Sequence, residues 1–184
     1  MPFVSIALLF ATTLSGQGQC AYDQNAMLLL DQNAFDQDMD GGWRTLAANG
    51  CDAQAADLIA KWREVHHAED PILYWHEGQL RANAGEYDRA VRLFEAARHP
   101  ASEDEKWGWN LYVEGSIAFL EGDLPALESA RAKLSMLPEP PEFQSIKDVH
   151  GNLATIAWPM NLHVLDGFIR CWGKRYKEAY NCPN

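Results

Sequence analysis

The sequence predicts an all-α fold built from antiparallel helix pairs, and three features carry that prediction. Apolar residues recur at helical spacing in almost every segment after residue 22. Strand signals are nearly absent, since no long stretch alternates apolar and polar residues and no Asn-Gly hairpin joins two such stretches. Short turns that contain glycine separate the helical segments, and Gly50, Gly85 and Gly122 stand 35 and 37 residues apart. Helices joined by such short turns pack as antiparallel pairs.

The helical segments can be placed along the chain from their periodicity. Expected helices cover, in chain order, residues 25–35, 43–48, 53–65, 72–84, 88–98, 107–120, 125–137, 158–172 and 176–180. Pro138, Pro140 and Pro141 end the helix before them, because proline lacks an N–H group and clashes with the preceding turn. Residues 138–157 are therefore expected to form an irregular insert.

One stretch, residues 71–100, carries a repeat pattern. Its small and aromatic residues stand at fixed positions: Gly78, Gly85, Tyr87, Ala90, Phe94 and Ala97. This pattern resembles the tetratricopeptide repeat, a helix–turn–helix unit of about 34 residues. The small residues let two helices approach, and the rings fill the space between repeats. Glu77 departs from the family, which has an aliphatic residue at that position.

Two further copies extend the resemblance. Residues 108–137 match the same pattern, although Leu127 replaces the usual alanine. Trp107 and Trp158 each begin the pattern W-x-x-N-L-x-V, which predicts a degenerate fourth repeat near the end of the chain. The resemblance covers about residues 40–181. It implies a short α-solenoid of three to four helix pairs, preceded by an N-terminal cap helix at residues 25–38.

The first residues are typical of a signal peptide. Residues 4–14 form an apolar run of the length of a signal-peptide core, and it is too short for a bilayer span of ~20 residues. A small, polar segment follows, which suits cleavage after Gly16 or Gly18. We expect a signal peptide at residues 1–18 and a mature domain at 19–184. The mature domain is expected to be periplasmic or secreted, without stable membrane insertion.

Export gives the four cysteines a role as disulfides, which persist in oxidising compartments. Three pairings of Cys20, Cys51, Cys171 and Cys182 are possible. The spacing favours Cys171 with Cys182, which flank one helical stretch, and therefore Cys20 with Cys51. No C-x-x-C pair is present, so zinc and dithiol redox chemistry have little support.

Charge and motifs exclude several functions. A formal net charge of -11 repels phosphate backbones and anionic membrane surfaces, so no nucleic-acid partner is expected. The chain has neither a nucleophile elbow before a helix nor a glycine-rich phosphate loop. The stretch FDQDMDGGW opens like a calcium-binding loop, but Ala47 stands where the bidentate Glu belongs. We therefore expect Asp38 or Asp40 to cap a helix, and we expect no catalytic residue, metal or cofactor.

The tetratricopeptide resemblance implies a partner-binding inner face. Carried over onto this chain, it comprises Arg44, Trp75, Gln79, Asn83, Trp109, Tyr112 and Ser116. Aromatic rings beside amides and an arginine suit a protein or peptide partner, so the first hypothesis is a non-catalytic adaptor or scaffold. The alternatives are that the solenoid fills its own groove, that the chain inhibits a secreted toxin as an immunity-type protein, and that it is a small enzyme of unrecognised type.

Overall fold

The computed structural model describes residues 18–146, 151, 153 and 156–183. All its regular elements within these residues are helices, so the all-α prediction is confirmed. The α-helices are α1 (Gln24–Leu28), α2 (Arg44–Ala48), α3 (Asp52–His66), α4 (Pro71–Asn83), α5 (Tyr87–Ala96), α6 (Ala101–Asp104), α7 (Trp109–Glu121), α8 (Leu124–Ser135), α9 (Leu162–Arg170) and α10 (Tyr176–Tyr180). The expected signal peptide lies outside the described residues except for Gly18.

The N-terminal segment forms shorter helices than the sequence predicts. A single cap helix at residues 25–38 is expected, but α1 ends at Leu28 and a π-helical turn follows at Asn33–Gln37. Two aspartates set these starts: Asp23 accepts a hydrogen bond from the N–H of Ala26, and Asp31 accepts one from the N–H of Ala34. Each carboxylate caps the start of a separate helical turn, so the segment does not form one continuous helix.

Adjacent helices pack in pairs, as the glycine spacing predicts. Helix α4 packs on α5, and α7 packs on α8. The turns between them use Gly85 and Gly122 with φ of 82° and 76°, which a residue with a side chain adopts at a cost. A Cβ atom at Gly78 would lie 2.7 Å from the Phe94 ring, so glycine is what allows α4 and α5 to approach this closely.

The core has two parts that meet at α4. One part, towards the N-terminus, is built on α3 and buries Phe35, Ile59 and Trp62. The other lies between α4, α5, α7 and α9 and is rich in aromatic side chains, among them Trp75 and Phe168. Helix α4 contributes buried residues to both parts, which explains why few of its side chains are exposed.

The departure at Glu77 has a structural reason. This carboxylate is 4% exposed and accepts a hydrogen bond of 2.6 Å from Nη1 of Arg63. Its other oxygen lies 3.8 Å from Nε of Arg81. Arg81, itself buried, also reaches Asp57 at 2.5 Å and Glu86 at 3.4 Å. Glu77 therefore belongs to a cluster of ionised side chains that joins α3, α4 and the start of α5.

The last helix departs from a regular solenoid. Helix α9 packs on α7 and α8, but α10 contacts α4 as well as α9. Lys177 on α10 reaches Asp52 at the start of α3 at 2.8 Å, and Tyr87 accepts a hydrogen bond of 3.4 Å from the N–H of Tyr176. Instead of extending the stack, α10 folds back across the face of α4.

Two disulfides fix the ends of the described chain. Cys20 pairs with Cys51 at a Cα–Cα distance of 5.7 Å, and Cys171 pairs with Cys182 at 6.1 Å. This is the pairing that the sequence spacing favours. The second disulfide joins the end of α9 to the end of α10, so it holds the fold-back in place. None of the helices in the described part of the chain has the length and apolar character that a membrane span requires.

The insert is irregular, as expected, where it is described. A 3₁₀ helix at Pro141–Ser145 brings Phe143 edge-on to Trp158, with ring centroids 5.0 Å apart. The Trp158 indole donates a hydrogen bond of 2.9 Å to the carbonyl oxygen of Leu137. These contacts attach the insert beside the end of α8, away from the face that α10 crosses.

Candidate functional site

Three of the expected partner-binding residues are buried in the core. Trp75 is 3% exposed and Tyr112 is 2% exposed, and Ser116 is fully buried with its hydroxyl on the carbonyl oxygen of Tyr112. Trp75 stacks on Phe94 at 4.3 Å. Tyr176 of α10 joins the same aromatic core. The inner face is therefore filled by the chain itself at these three positions, and they do not line an open groove.

Two other expected residues are partly exposed but already engaged. The Trp109 indole donates a hydrogen bond of 2.7 Å to the carbonyl oxygen of Ala97. The Arg44 guanidinium lies 4.2 Å over the Trp43 ring and donates a hydrogen bond to the carbonyl oxygen of Asp36. Both side chains stabilise local structure. Neither lines the pocket to which the two remaining expected residues, Gln79 and Asn83, belong.

Gln79 and Asn83 line a pocket of about 250 Å³. It lies between α2, the start of α3, α4 and α10. Its lining consists of Trp43, Ala47, Asp52, His76, Gln79, Leu80, Asn83, Tyr176, Lys177, Tyr180 and Asn181. The structure thus brings two expected residues together with an aromatic and polar wall that the sequence did not connect to them. We call this space the α10 pocket.

Tyr176 belongs to the wall of the α10 pocket, but its hydroxyl is closed to solvent. Tyr176 is 1% exposed, and its hydroxyl meets no hydrogen-bond partner within the described residues. Burial, together with Tyr180, raises the pKa of Tyr176 far above its ordinary value, although the hydrogen-bonding influence of the neighbouring Gln79 side chain lowers it. The hydroxyl is therefore neutral at physiological pH and lies behind the pocket surface, next to Gln79.

A buried carboxylate orients the histidine of the pocket. Asp36 is fully buried, lies 2.7 Å from Nδ1 of His76 and accepts a hydrogen bond of 2.8 Å from the Trp43 indole. Burial by itself raises the pKa of Asp36, but the hydrogen bonds and charges of His76, Trp43 and Arg44 lower it below its ordinary value. The ionised carboxylate fixes Nδ1 of His76, so Nε2 is the ring nitrogen that remains for a ligand.

The rim of the α10 pocket is electrically balanced. Asp52 accepts a hydrogen bond of 3.3 Å from the amide of Asn83 and pairs with Lys177 at 2.8 Å. The amide of Asn181 donates to the carbonyl oxygen of Lys177. The one carboxylate and the one ammonium group that line the pocket therefore neutralise each other.

The described lining of the α10 pocket combines a histidine held by a buried carboxylate with tyrosine, amide and ammonium groups. A carboxylate–histidine pair becomes a hydrolytic site when a hydroxyl or thiol nucleophile stands beside the free ring nitrogen. None of the described residues that line the α10 pocket is Ser, Thr or Cys. The described part of the chain also holds no group of three or more His, Cys, Asp or Glu side chains arranged for a metal ion.

The aspartate stretch serves the pocket in a way that the sequence did not reveal. The expected cap at Asp38 or Asp40 is wrong, because Trp43 is the N-cap residue of α2 and no side chain caps this helix. Asp38 instead accepts a hydrogen bond of 3.0 Å from the N–H of Asp40 within the turn. The aspartate that contacts the histidine of the pocket is Asp36, 40 residues from it in the chain, and only the structure brings the two together.

Comparison of the chain with protein-family models, with curated proteins and with solved structures finds no match in any of the three. The functional argument therefore rests on the geometry of the α10 pocket and on the repeat pattern of the sequence.

Proposed function

We propose that this chain is a non-catalytic module that binds a protein or peptide partner, and that the α10 pocket is its binding site. The observation that carries the proposal is the concave lining of the α10 pocket, in which aromatic rings stand beside the Gln79 and Asn83 amides and the His76 ring. Concave sites with a few convergent polar groups are the usual places of recognition in proteins.

The architecture supports a tetratricopeptide-like assignment. The pairs α4–α5 and α7–α8 coincide with the best repeats in the sequence, and each carries a left-handed glycine at its turn. The resemblance implies an adaptor or scaffold that uses its concave face. In this chain that face is partly occupied by α10, so the binding surface is a pocket at its N-terminal side and not a long groove.

The proposed compartment is the bacterial periplasm or the exterior of the cell. Two disulfides support an oxidising environment. The apolar run at residues 4–14 supports export through a signal peptide. In that setting the partner is an envelope protein or a secreted protein.

Site-specific photo-crosslinking tests the proposal. A photoreactive phenylalanine analogue replaces Asn83 in the pocket or, as the control, the exposed Glu128 on α8. The oxidised mature chain is then irradiated in an extract of its native envelope. We expect one protein to crosslink from position 83 and not from 128, and addition of the unmodified chain to suppress the crosslink. Equal labelling from both positions, or none from position 83, contradicts the proposal.

An inhibitory role is the second candidate, and the charge favours it. With a net charge of -11, the surface complements a basic protein such as a cationic secreted toxin. An inhibitor of this kind binds one partner tightly, with an association rate that falls steeply as salt rises. Salt screens charges over roughly 10 Å at about 0.1 M, so the association rate is measured from about 0.05 to 0.5 M salt. A rate that does not change over this range argues for the adaptor.

A further inference from the structure

The residues around Gly18 have the pattern of a signal-peptide cleavage site. Such sites carry small residues at the first and the third position before the cut. For a cut after Gly18 these positions hold Gly18 and Gly16, whereas for a cut after Gly16 they hold Gly16 and Leu14. The large leucine disfavours the second choice. The pattern therefore favours cleavage after Gly18, which makes residue 19 the first residue of the mature chain.

That first residue is a glutamine, whose side chain can react with its own α-amine. The amine nitrogen attacks Cδ of Gln19 and forms a new C–N bond. The bond between Cδ and Nε2 then breaks, and Nε2 leaves as ammonia with a proton from the amine. A lactam ring, pyroglutamate, remains at the N-terminus. Because both reacting groups belong to one residue, the reaction has the advantage of an intramolecular step and needs no oxidant or co-reactant.

The structure leaves Gln19 free to react. Gly18 and Gln19 are both exposed, and a Cβ atom added at Gly18 would meet no other atom within 4 Å. The Gln19 amide donates a hydrogen bond of 3.2 Å from Nε2 to the carbonyl oxygen of Asn49. Since this bond lies at the surface, exchanging it for a bond to water costs little. Neither packing nor hydrogen bonding opposes the loss of Nε2.

The folded core begins immediately after the reactive residue. Cys20 is paired with Cys51 at a Cα–Cα distance of 5.7 Å and packs against the part of the core that is built on α3. In a mature chain that starts at position 19, a single residue precedes this disulfide. Loose chain ends are where proteolysis concentrates. Cyclisation of Gln19 therefore closes an end that the disulfide has already tied down.

Cyclisation also changes the charge of the N-terminal segment. Residues 19–43 contain five aspartates and no lysine, arginine or histidine. A free α-amine would be the cationic group of this stretch, and the lactam removes its charge. The segment that precedes α2 then carries negative charge alone.

We propose that the exported chain is cut after Gly18 and that Gln19 then cyclises to pyroglutamate, which gives the mature protein a blocked and uncharged N-terminus. This inference rests on the export that is part of the proposed function, and it does not depend on what the α10 pocket binds.

Mass spectrometry of the exported protein tests the inference. The full chain is expressed in a bacterial host, and the periplasmic fraction is acidified at once. Acid keeps the α-amine, whose ordinary pKa is about 7.7–8.0, protonated and unable to cyclise during the work-up. We expect the N-terminal peptide to begin at position 19 with a mass lower by one ammonia. N-terminal sequencing should give no residue until pyroglutamyl peptidase has removed the ring.

Two matched Gln→Asn variants identify the reactive residue. Asparagine keeps the amide but has one methylene group fewer, so its ring would be smaller and strongly strained, and it stays open. Gln19→Asn should therefore have a free N-terminus and lose its first residue to an aminopeptidase that leaves the wild type intact. Gln17→Asn, which lies within the expected signal peptide, should yield the same pyroglutamate-blocked protein as the wild type.

The outcomes that overturn the inference are distinguishable from one another. A leader that stays uncut contradicts both the proposed export and the modification. A protein that is cut after Gly18 but keeps a free α-amine retains the export and removes the modification. A chain that starts at Gln17, with a ring that disappears in Gln17→Asn, places the cut after Gly16 and also contradicts the inference. The crosslinking experiment from position 83 reports separately on partner binding.

Discussion

Replacement of Glu77 by leucine is expected to destabilise the protein severely, although the tetratricopeptide pattern that the sequence resembles has an aliphatic residue at this position. Glu77 is the carboxylate between two arginines that are mostly or fully buried. Arg81 keeps Asp57 and Glu86 when Glu77 is removed, but Arg63 keeps only the face of the Tyr74 ring, 3.4 Å away. Removing one partner of a buried ion pair costs about 3–5 kcal/mol, because the other charge stays buried alone.

The lower end of that range applies here. The Arg63 side chain is 15% exposed, so water can solvate part of the released guanidinium. Burial also raises the pKa of Glu77 in spite of the attraction of both arginines, so the pair does not gain its full electrostatic energy. We therefore expect Glu77→Leu to lower the free energy of unfolding by about 3 kcal/mol at pH 7.

The measurement is urea denaturation of the oxidised protein, compared across three variants. The double variant Arg63→Met/Glu77→Leu replaces the pair by apolar groups of similar size and should recover most of the loss. Glu95→Gln breaks an exposed pair with Arg98 and should cost less than about 1 kcal/mol. A Glu77→Leu cost as small as that of Glu95→Gln, or a double variant as unstable as the single one, refutes the reasoning.

Three further changes test other parts of the structure. Gly78→Ala should lower the free energy of unfolding by about 1–3 kcal/mol in urea denaturation, because the new Cβ would lie 2.7 Å from the Phe94 ring. A decrease below about 0.5 kcal/mol, the size of a neutral surface change, would contradict the close approach of the two helices. Replacing Cys171 and Cys182 by serine should lower the free energy of unfolding by about 2–3 kcal/mol. Because this disulfide holds α10, amide hydrogen exchange should increase first in that helix, and an earlier increase elsewhere would contradict this role. Burial raises the pKa of Asp36, but the His76, Trp43 and Arg44 side chains lower it below 3.8. The contribution of Asp36 to stability is therefore present above pH 3.8 and is lost as the pH falls through the lowered pKa. Thermal melts of Asp36→Asn between pH 7 and pH 2 should therefore show a weaker acid dependence than the wild type, and parallel curves would contradict this.

Local features of the sequence were sufficient for the longer helices from α3 onwards and for the pairing of α4 with α5 and α7 with α8. The segment expected at residues 72–84 is found as α4 at Pro71–Asn83, because helical periodicity, a capping Asp70 and a left-handed glycine all act within a few residues. The disulfide pairing followed from spacing for the same reason. The family departure at Glu77 was visible in the sequence, but the arginines that explain it come from other turns of the fold.

The site could be predicted only in part. Gln79 and Asn83 line one pocket beside α4, but Trp75 is buried against Phe94, Trp109 and Tyr112, and Tyr112 in turn lies near Tyr176 and Tyr180 of α10. Nothing local in that helix indicates that it turns back. The contact between Asp36 and His76 joins segments 40 residues apart, and single-sequence periodicity contains no information on such pairs.

The return of α10 changes how this chain is expected to unfold. An open repeat array contacts itself only between neighbours, so its ends can melt before its centre. Here Lys177 is tied to Asp52, 125 residues earlier in the chain, and Tyr176 is buried in the core that α4, α5, α7 and α9 share. Releasing α10 opens that core along its length. The helix pairs are thereby joined into a single cooperative unit, which can be neither lengthened by an added repeat nor shortened by one without losing its closure.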